Sequence, residues 1–164
     1  MIVVSNTSPL NYLVLIDAQG VLPALYGRVL IPTEVADELR AAGTPAKVRA
    51  WFVAGPPWLE VRAAPVHAVV ANIHAGEAAA IALARSASAA LLLIDDDLAY
   101  EFAIKQGLRV TRTLGVLRDA ALQGIIDLRM AFDKLRQTNF RVSRRLYDDI
   151  LADVEHVRRS RPAS

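Results

Sequence analysis

The stretch Leu91-Leu92-Leu93-Ile94-Asp95-Asp96-Asp97 decides the fold. Its four apolar residues leave no polar face, so a strand built from them is covered on both sides, as strands of parallel sheets are. The three aspartates end the run and put acidity at its carboxyl end. Asp97 then reads as the cap of a helix that runs to Gln106 and is closed by Gly107, and Leu108 to Thr111 reads as the next strand. Strand, helix and strand at this spacing predict an α/β domain with a mainly parallel sheet.

Outward from that unit the pattern repeats. Gly76 precedes Glu77 to Arg85, the clearest helical run in the chain, and leaves His74 outside it as a surface histidine. At the start of the chain, Ile2 to Ser5 reads as a strand. Asn6-Thr7-Ser8-Pro9 reads as a helix cap with proline in the first turn, and Leu10, Leu13 and Val14 follow at helical spacing. Val21 to Tyr26 is a short helix stopped by Gly27, and Arg28 to Ile31 is the second strand. Pro32-Thr33-Glu34 opens a helix to Ala42, Pro45 to Ala54 forms another, and Trp58 to Arg62 alternates as a strand. Three helices close the chain: Leu114 to Gln123, Asp127 to Gln137 and Ser143 to Glu155. No repeat or linker interrupts this order. Residues 1–157 therefore read as one three-layer domain, and 158–164 as a flexible tail.

A chain of 164 residues is about one domain and needs no covalent staple. It has no cysteine, which excludes disulfides, thiolate zinc sites and a cysteine nucleophile. The unbroken apolar runs, Ala89 to Ile94 among them, are far short of the roughly 20 residues of a membrane span. The start MIVVSNTSPL lacks the basic region of a leader, so we expect a cytoplasmic protein with no membrane partner. Dinucleotide fingerprints, Walker-type phosphate loops and G-x-S-x-G elbows are missing. The net charge of +2 hides an asymmetry: residues 1–104 hold 6 basic and 10 acidic side chains, residues 105–164 hold 13 and 7. This is either a solvated set of charged helices or a polyanion surface beside a carboxylate site.

In parallel sheets, sites lie beyond the carboxyl ends of the strands. Those ends carry Asn6, Thr7 and Ser8, then Asp95, Asp96 and Asp97, then Thr113. Glu38 and Glu77 join them from helices. Each residue alone has an ordinary role as a cap, a dipole partner or a solvated charge. Together they would make a hard oxygen pocket suited to Mg²⁺ or Mn²⁺ and unsuited to zinc. A cation there would keep neighbouring carboxylates ionised.

SNTSPL at 5–10, IPTEVADEL at 31–39, GEAAAIALA at 76–84, LLIDD at 92–96, TLGVL at 113–117 and FRVSRRLYDDIL at 140–151 together resemble the PIN-domain family. The best-known members of that family are the VapC-like toxin ribonucleases. More closely, the chain resembles a prokaryotic PIN-like branch with an SNTSPL start and a GEAEAIALA helix. The resemblance implies a parallel sheet of order 3-2-1-4-5 flanked by helices, and metal-dependent cleavage of RNA. It implies that Asn6, Glu38, Glu77 and Asp96 occupy the four acidic positions, with Asp95 as a possible substitute ligand. Thr7, Ser8 and Thr113 stand where hydroxyls hold a metal water or the acids. A cognate antitoxin protein and a homodimer are implied too, the latter through apolar faces on helices 7–17 and 21–26.

One departure stands out: Asn6 occupies the place of the first aspartate and removes one negative charge. Two readings therefore stand. One is an endoribonuclease holding Mg²⁺ or Mn²⁺; the other is a non-catalytic PIN-like module that binds RNA or protein. Arg141, Arg144 and Arg145 read either as RNA contacts or as exposed helix charges. Trp51 and Trp58, flanking Gly55-Pro56-Pro57, read as core packing.

Overall fold

The computed structural model describes residues 1–162. The strands are β1 (Val3–Ser5), β2 (Val29–Ile31), β3 (Leu59–Val61), β4 (Leu91–Leu93) and β5 (Val110–Thr111). They form one sheet of order β3-β2-β1-β4-β5, and every neighbouring pair is parallel. The helices are α1 (Thr7–Leu15), α2 (Val21–Tyr26), α3 (Thr33–Arg40), α4 (Ala46–Val53), α5 (Ala75–Ser86), α6 (Asp97–Lys105), α7 (Thr113–Leu122), α8 (Leu128–Arg136) and α9 (Arg144–Ser160).

The strands divide their side chains between two apolar layers with the period of two that a pleated chain imposes. Val3, Val29, Ile31 and Leu93 face the larger core with residues of α1, α3, α4 and α7–α9, while Val4, Leu30, Leu92 and Ile94 face the smaller core with α5 and α6. The expected three-layer α/β architecture and its strand order are therefore present. The run Leu91–Leu93 is apolar because both of its faces meet helices.

Several ends differ from the sequence reading. α5 begins at Ala75, so His74 is its N-cap residue and not a bystander. Asp96, not Asp97, caps α6: its Oδ2 accepts from the Ala99 N–H at 2.9 Å. α9 continues past Glu155 to Ser160, supported by an Arg159–Glu155 pair at 3.4 Å and by Ser160 Oγ donating to the His156 carbonyl. Of the expected flexible tail, 158–160 are helical, and 163–164 lie outside the described residues. The apolar side chains of α1 and α2 are not a free face: Leu10, Leu13, Val14, Val21 and Leu22 all sit in the larger core. No described helix is long and apolar enough to cross a membrane.

In this strand order the direction in which successive strands are added reverses between β1 and β4: from β1 the sheet grows to β2 on one side, and from β4 to β5 on the other. That switch point leaves a crevice at the carboxyl ends of β1 and β4, where Asn6 and Asp95–Asp96 follow.

Candidate active site at the sheet edge

β1 ends at Ser5, and the Asn6 N–H donates to the Leu93 carbonyl of β4 at 2.9 Å, fixing the turn into α1. Asn6 holds the N-cap position of α1, yet its side chain makes no capping bond. It is only 5% exposed, and its Oδ1 is buried without a hydrogen-bond partner. An amide oxygen withdrawn from water and left unpaired costs about 1–3 kcal/mol. The ordinary role of Asn6 as a cap is thus absent, and its oxygen is available to a cation.

Glu38 comes from α3, where Val35, Ala36 and Leu39 are buried and fix the helix face. Thr7 Oγ1 donates to Glu38 Oε2. The same carboxylate lies against Gly76, whose missing side chain leaves the room it occupies. Glu77 follows Gly76 on α5 and is only 8% exposed. Its Oε2 accepts from the His74 N–H at 3.1 Å. Burial pushes the Glu77 carboxyl above its ordinary range; the His74 N–H opposes this, and the charges of Asp96 and Glu38 add to it.

Asn6, Thr7, Ser8, Glu38 and Glu77 line one cavity of about 250 Å³, together with Asn11, Tyr12 and His74. Asp95, Asp96 and Asp97 line a neighbouring cavity of about 510 Å³, together with Arg112 and Arg141. Arg144 and Arg145 line neither and are exposed on the first turn of α9. Both oxygens of Asp95 are engaged: Oδ1 accepts from the Thr113 N–H at 2.9 Å and Oδ2 from Thr113 Oγ1 at 2.6 Å. Asp95 thus ties β4 to α7 and is not an open ligand. Among the described residues, no three His, Asp or Glu side chains already stand as a metal-binding group. Each acid is instead held by its own local donor: Glu38 by Thr7, Glu77 by His74, Asp96 by Ala99.

Three residues of this site went unnoticed in the sequence. Tyr12 and Asn11 follow Ser8 by four and three positions, which is the helical spacing that brings them to one face. Tyr12 donates to Asn139 Oδ1 at 2.8 Å, and burial first and Asp95 second raise its phenol. Arg112 donates to the Asp95 carbonyl at 2.6 Å, pairs with Asp97 at 2.7 Å and stacks on Tyr100 at 4.2 Å. No local pattern announces that clamp, because its partners are distant in the chain.

The profile of the PIN-domain family matches residues 2–156. This chain belongs to the PIN-domain family. PIN domains are in general nuclease folds that use divalent metal ions. Among solved structures, a PilT N-terminus domain protein from the hyperthermophilic archaeon Sulfolobus solfataricus P2 is similar, with a TM-score of 0.55 at 20% identity over 73% of this chain and 93% of that chain. At that identity the likeness concerns the fold alone. No curated protein matches the chain.

As a PIN domain, the chain supplies donors that fit a hard divalent ion. The unpaired Asn6 oxygen and the carboxylates of Glu38 and Glu77 share one cavity, and all three are oxygen ligands of the kind Mg²⁺ and Mn²⁺ take.

Proposed function

We propose that this PIN domain is a metal-dependent endoribonuclease acting at the crevice between β1 and β4. One observation carries the reading: Asn6 keeps a buried, unpaired oxygen in the same cavity as Glu38 and Glu77. Asn6, Glu38 and Glu77 would hold Mg²⁺ or Mn²⁺, with Asp96 completing the set from the adjoining turn. A divalent ion so held lowers the pKa of bound water and neutralises charge on a phosphodiester. The chain's own residues orient the donors. Thr7 holds Glu38, the His74 N–H holds Glu77, and Asp96 engages only Oδ2 with Ala99. Thr113 keeps Asp95 out of competition for the ion.

The toxin type, silenced by a cognate antitoxin protein, extends this reading. Its support is the order of the SNTSPL, IPTEVADEL, GEAAAIALA and LLIDD segments. The second reading, a module that binds RNA or protein without cutting, is favoured by the neutral Asn6 where an aspartate is expected.

The test is cleavage of single-stranded RNA in Mg²⁺ or Mn²⁺ by the full chain, against Glu77→Gln and Asp96→Asn. The nuclease reading expects cleavage by the wild type and a loss of at least about a hundredfold in both variants, as when a group that stabilises developing charge is removed. Equal cleavage by all three marks a contaminant and removes the reading. Metal-independent RNA binding without cleavage selects the module.

A further inference from the structure

The cavity of about 510 Å³ beside the acidic one has a different chemistry. The Asp95–Asp97 turn supplies one wall, and the loop between α8 and α9 supplies a second. Leu114, Phe140, Val142 and Leu146 give it an apolar floor, and Leu146 stays 42% exposed there. The three aspartates on its wall are each engaged: Asp95 with Thr113, Asp96 with the Ala99 N–H, Asp97 with Arg112. Arg141, in the same lining, has no carboxylate partner among the described residues.

Both walls are held in place. Arg112 is fixed by Asp97, by the Asp95 carbonyl and by the Tyr100 ring. The loop of the second wall is pinned to α1, because Phe140 meets Tyr12 edge-on at 4.8 Å and Tyr12 donates to Asn139. A second, independent feature points to a polyanion. α9 opens on Arg144-Arg145 with no acid in its first turn, although a helix N-terminus favours negative charge. Arg145 has Asp149 of the same helix 4.0 Å away, which leaves Arg144 as the exposed cation without a carboxylate partner among the described residues.

We propose that this cavity is a base-binding subsite for the nucleotide next to the scissile phosphate of single-stranded RNA. The proposal rests on RNA being the substrate, as argued above. The base lies on Leu114, Phe140, Val142 and Leu146, and the flanking phosphate meets Arg141, while Arg112 stays paired with Asp97. A base offers a flat π face to an apolar floor, and its phosphate calls for arginine; the cavity supplies both, at the size of an ordinary ligand pocket.

The experiment is fluorescence anisotropy in EDTA with a labelled single-stranded RNA hexamer and with an abasic ribose-phosphate hexamer of equal charge. Leu146→Gln is the decisive variant. Leu146 is three residues past the N-cap Ser143, whose Oγ accepts from the Leu146 N–H at 3.2 Å, so glutamine completes a capping box and supports the fold. A thermal melt checks this. The wild type is expected to bind the RNA about tenfold tighter than the abasic strand. Leu146→Gln should lose about fivefold on RNA and less than about twofold on the abasic strand, in keeping with the contribution of one base contact. Arg141→Ala should weaken both and lower the salt slope by about one. Equal binding of the two strands, no binding of RNA, or a Leu146→Gln variant that matches the wild type overturns the subsite. Cleavage is not read in EDTA: base-dependent binding without cleavage in the metal assay removes the nuclease reading alone, whereas cleavage with equal binding of the two strands removes the subsite alone.

Discussion

Gly76 has no side chain because the Glu38 carboxylate fills the space a Cβ would take. The consequence is testable. Gly76→Ala puts a better helix former into the first turn of α5, worth up to about 1 kcal/mol in a helix. The displaced Glu38 carboxylate is the end of a flexible side chain, so the fold adjusts. We expect an unchanged or higher melting temperature and Mn²⁺ affinity at least about tenfold lower; equal metal affinity would show that the position of Glu38 is immaterial. Glu77 makes a second prediction. Its folded pKa is raised, so between its ordinary and raised values the native state holds the proton more firmly than the unfolded state. Its contribution to the stability of the metal-free protein is full below the ordinary value and is lost as pH rises through the folded value. Glu77→Gln removes this loss: urea melts in EDTA from about pH 4 to about pH 8 should show the wild type falling relative to the variant. Parallel curves would contradict it. At this scale the sequence was half legible. The acids were legible because they follow strands or open a helix; the glycine was not, since its partner is on α3.

α6 begins with Asp96, whose Oδ2 caps the Ala99 N–H at 2.9 Å. One carboxylate thus has two candidate roles, as a cap and as a site ligand, and substitution separates them. Asn caps about as well as Asp, whereas Ala loses about 1 kcal/mol. Asp96→Asn should stay within about 0.5 kcal/mol of the wild type and still lose RNA cleavage. Asp96→Ala should lose both. Full cleavage by Asp96→Asn would reduce Asp96 to a cap. The elements themselves were legible through apolar periodicity and the glycines and prolines between runs. Their ends were less so, because in Asp95-Asp96-Asp97 three equivalent residues compete for one cap position, and only tertiary contacts decide. Thr113 engages Asp95, Arg112 engages Asp97, and Asp96 is left to cap.

The whole molecule brings together residues from four separate parts of the chain. Parallel pairing of β1 with β4 sets Asn6 beside the Asp95–Asp96 turn, and packing of α3 on α5 sets Glu38 beside Glu77. Apolar patterning predicts that the strands are buried but is silent on which strands are neighbours. The strand order was legible only through the family-like motifs, and the split of the acids between two cavities was not legible at all. In α1 and α2 the residues Leu10, Leu13, Val14, Val21 and Leu22 belong to the core, which the sequence left open because a one-dimensional pattern does not distinguish a covered face from an exposed one. The central claim is that Asn6, Glu38 and Glu77 hold one divalent ion. Electron paramagnetic resonance of a Mn²⁺ titration tests it most directly, on the wild type, Glu38→Gln and Glu77→Gln. We predict saturable binding by the wild type and a loss of at least about tenfold in each variant, near 1.4 kcal/mol. No binding up to about millimolar Mn²⁺, or variants that bind as the wild type does, would contradict it.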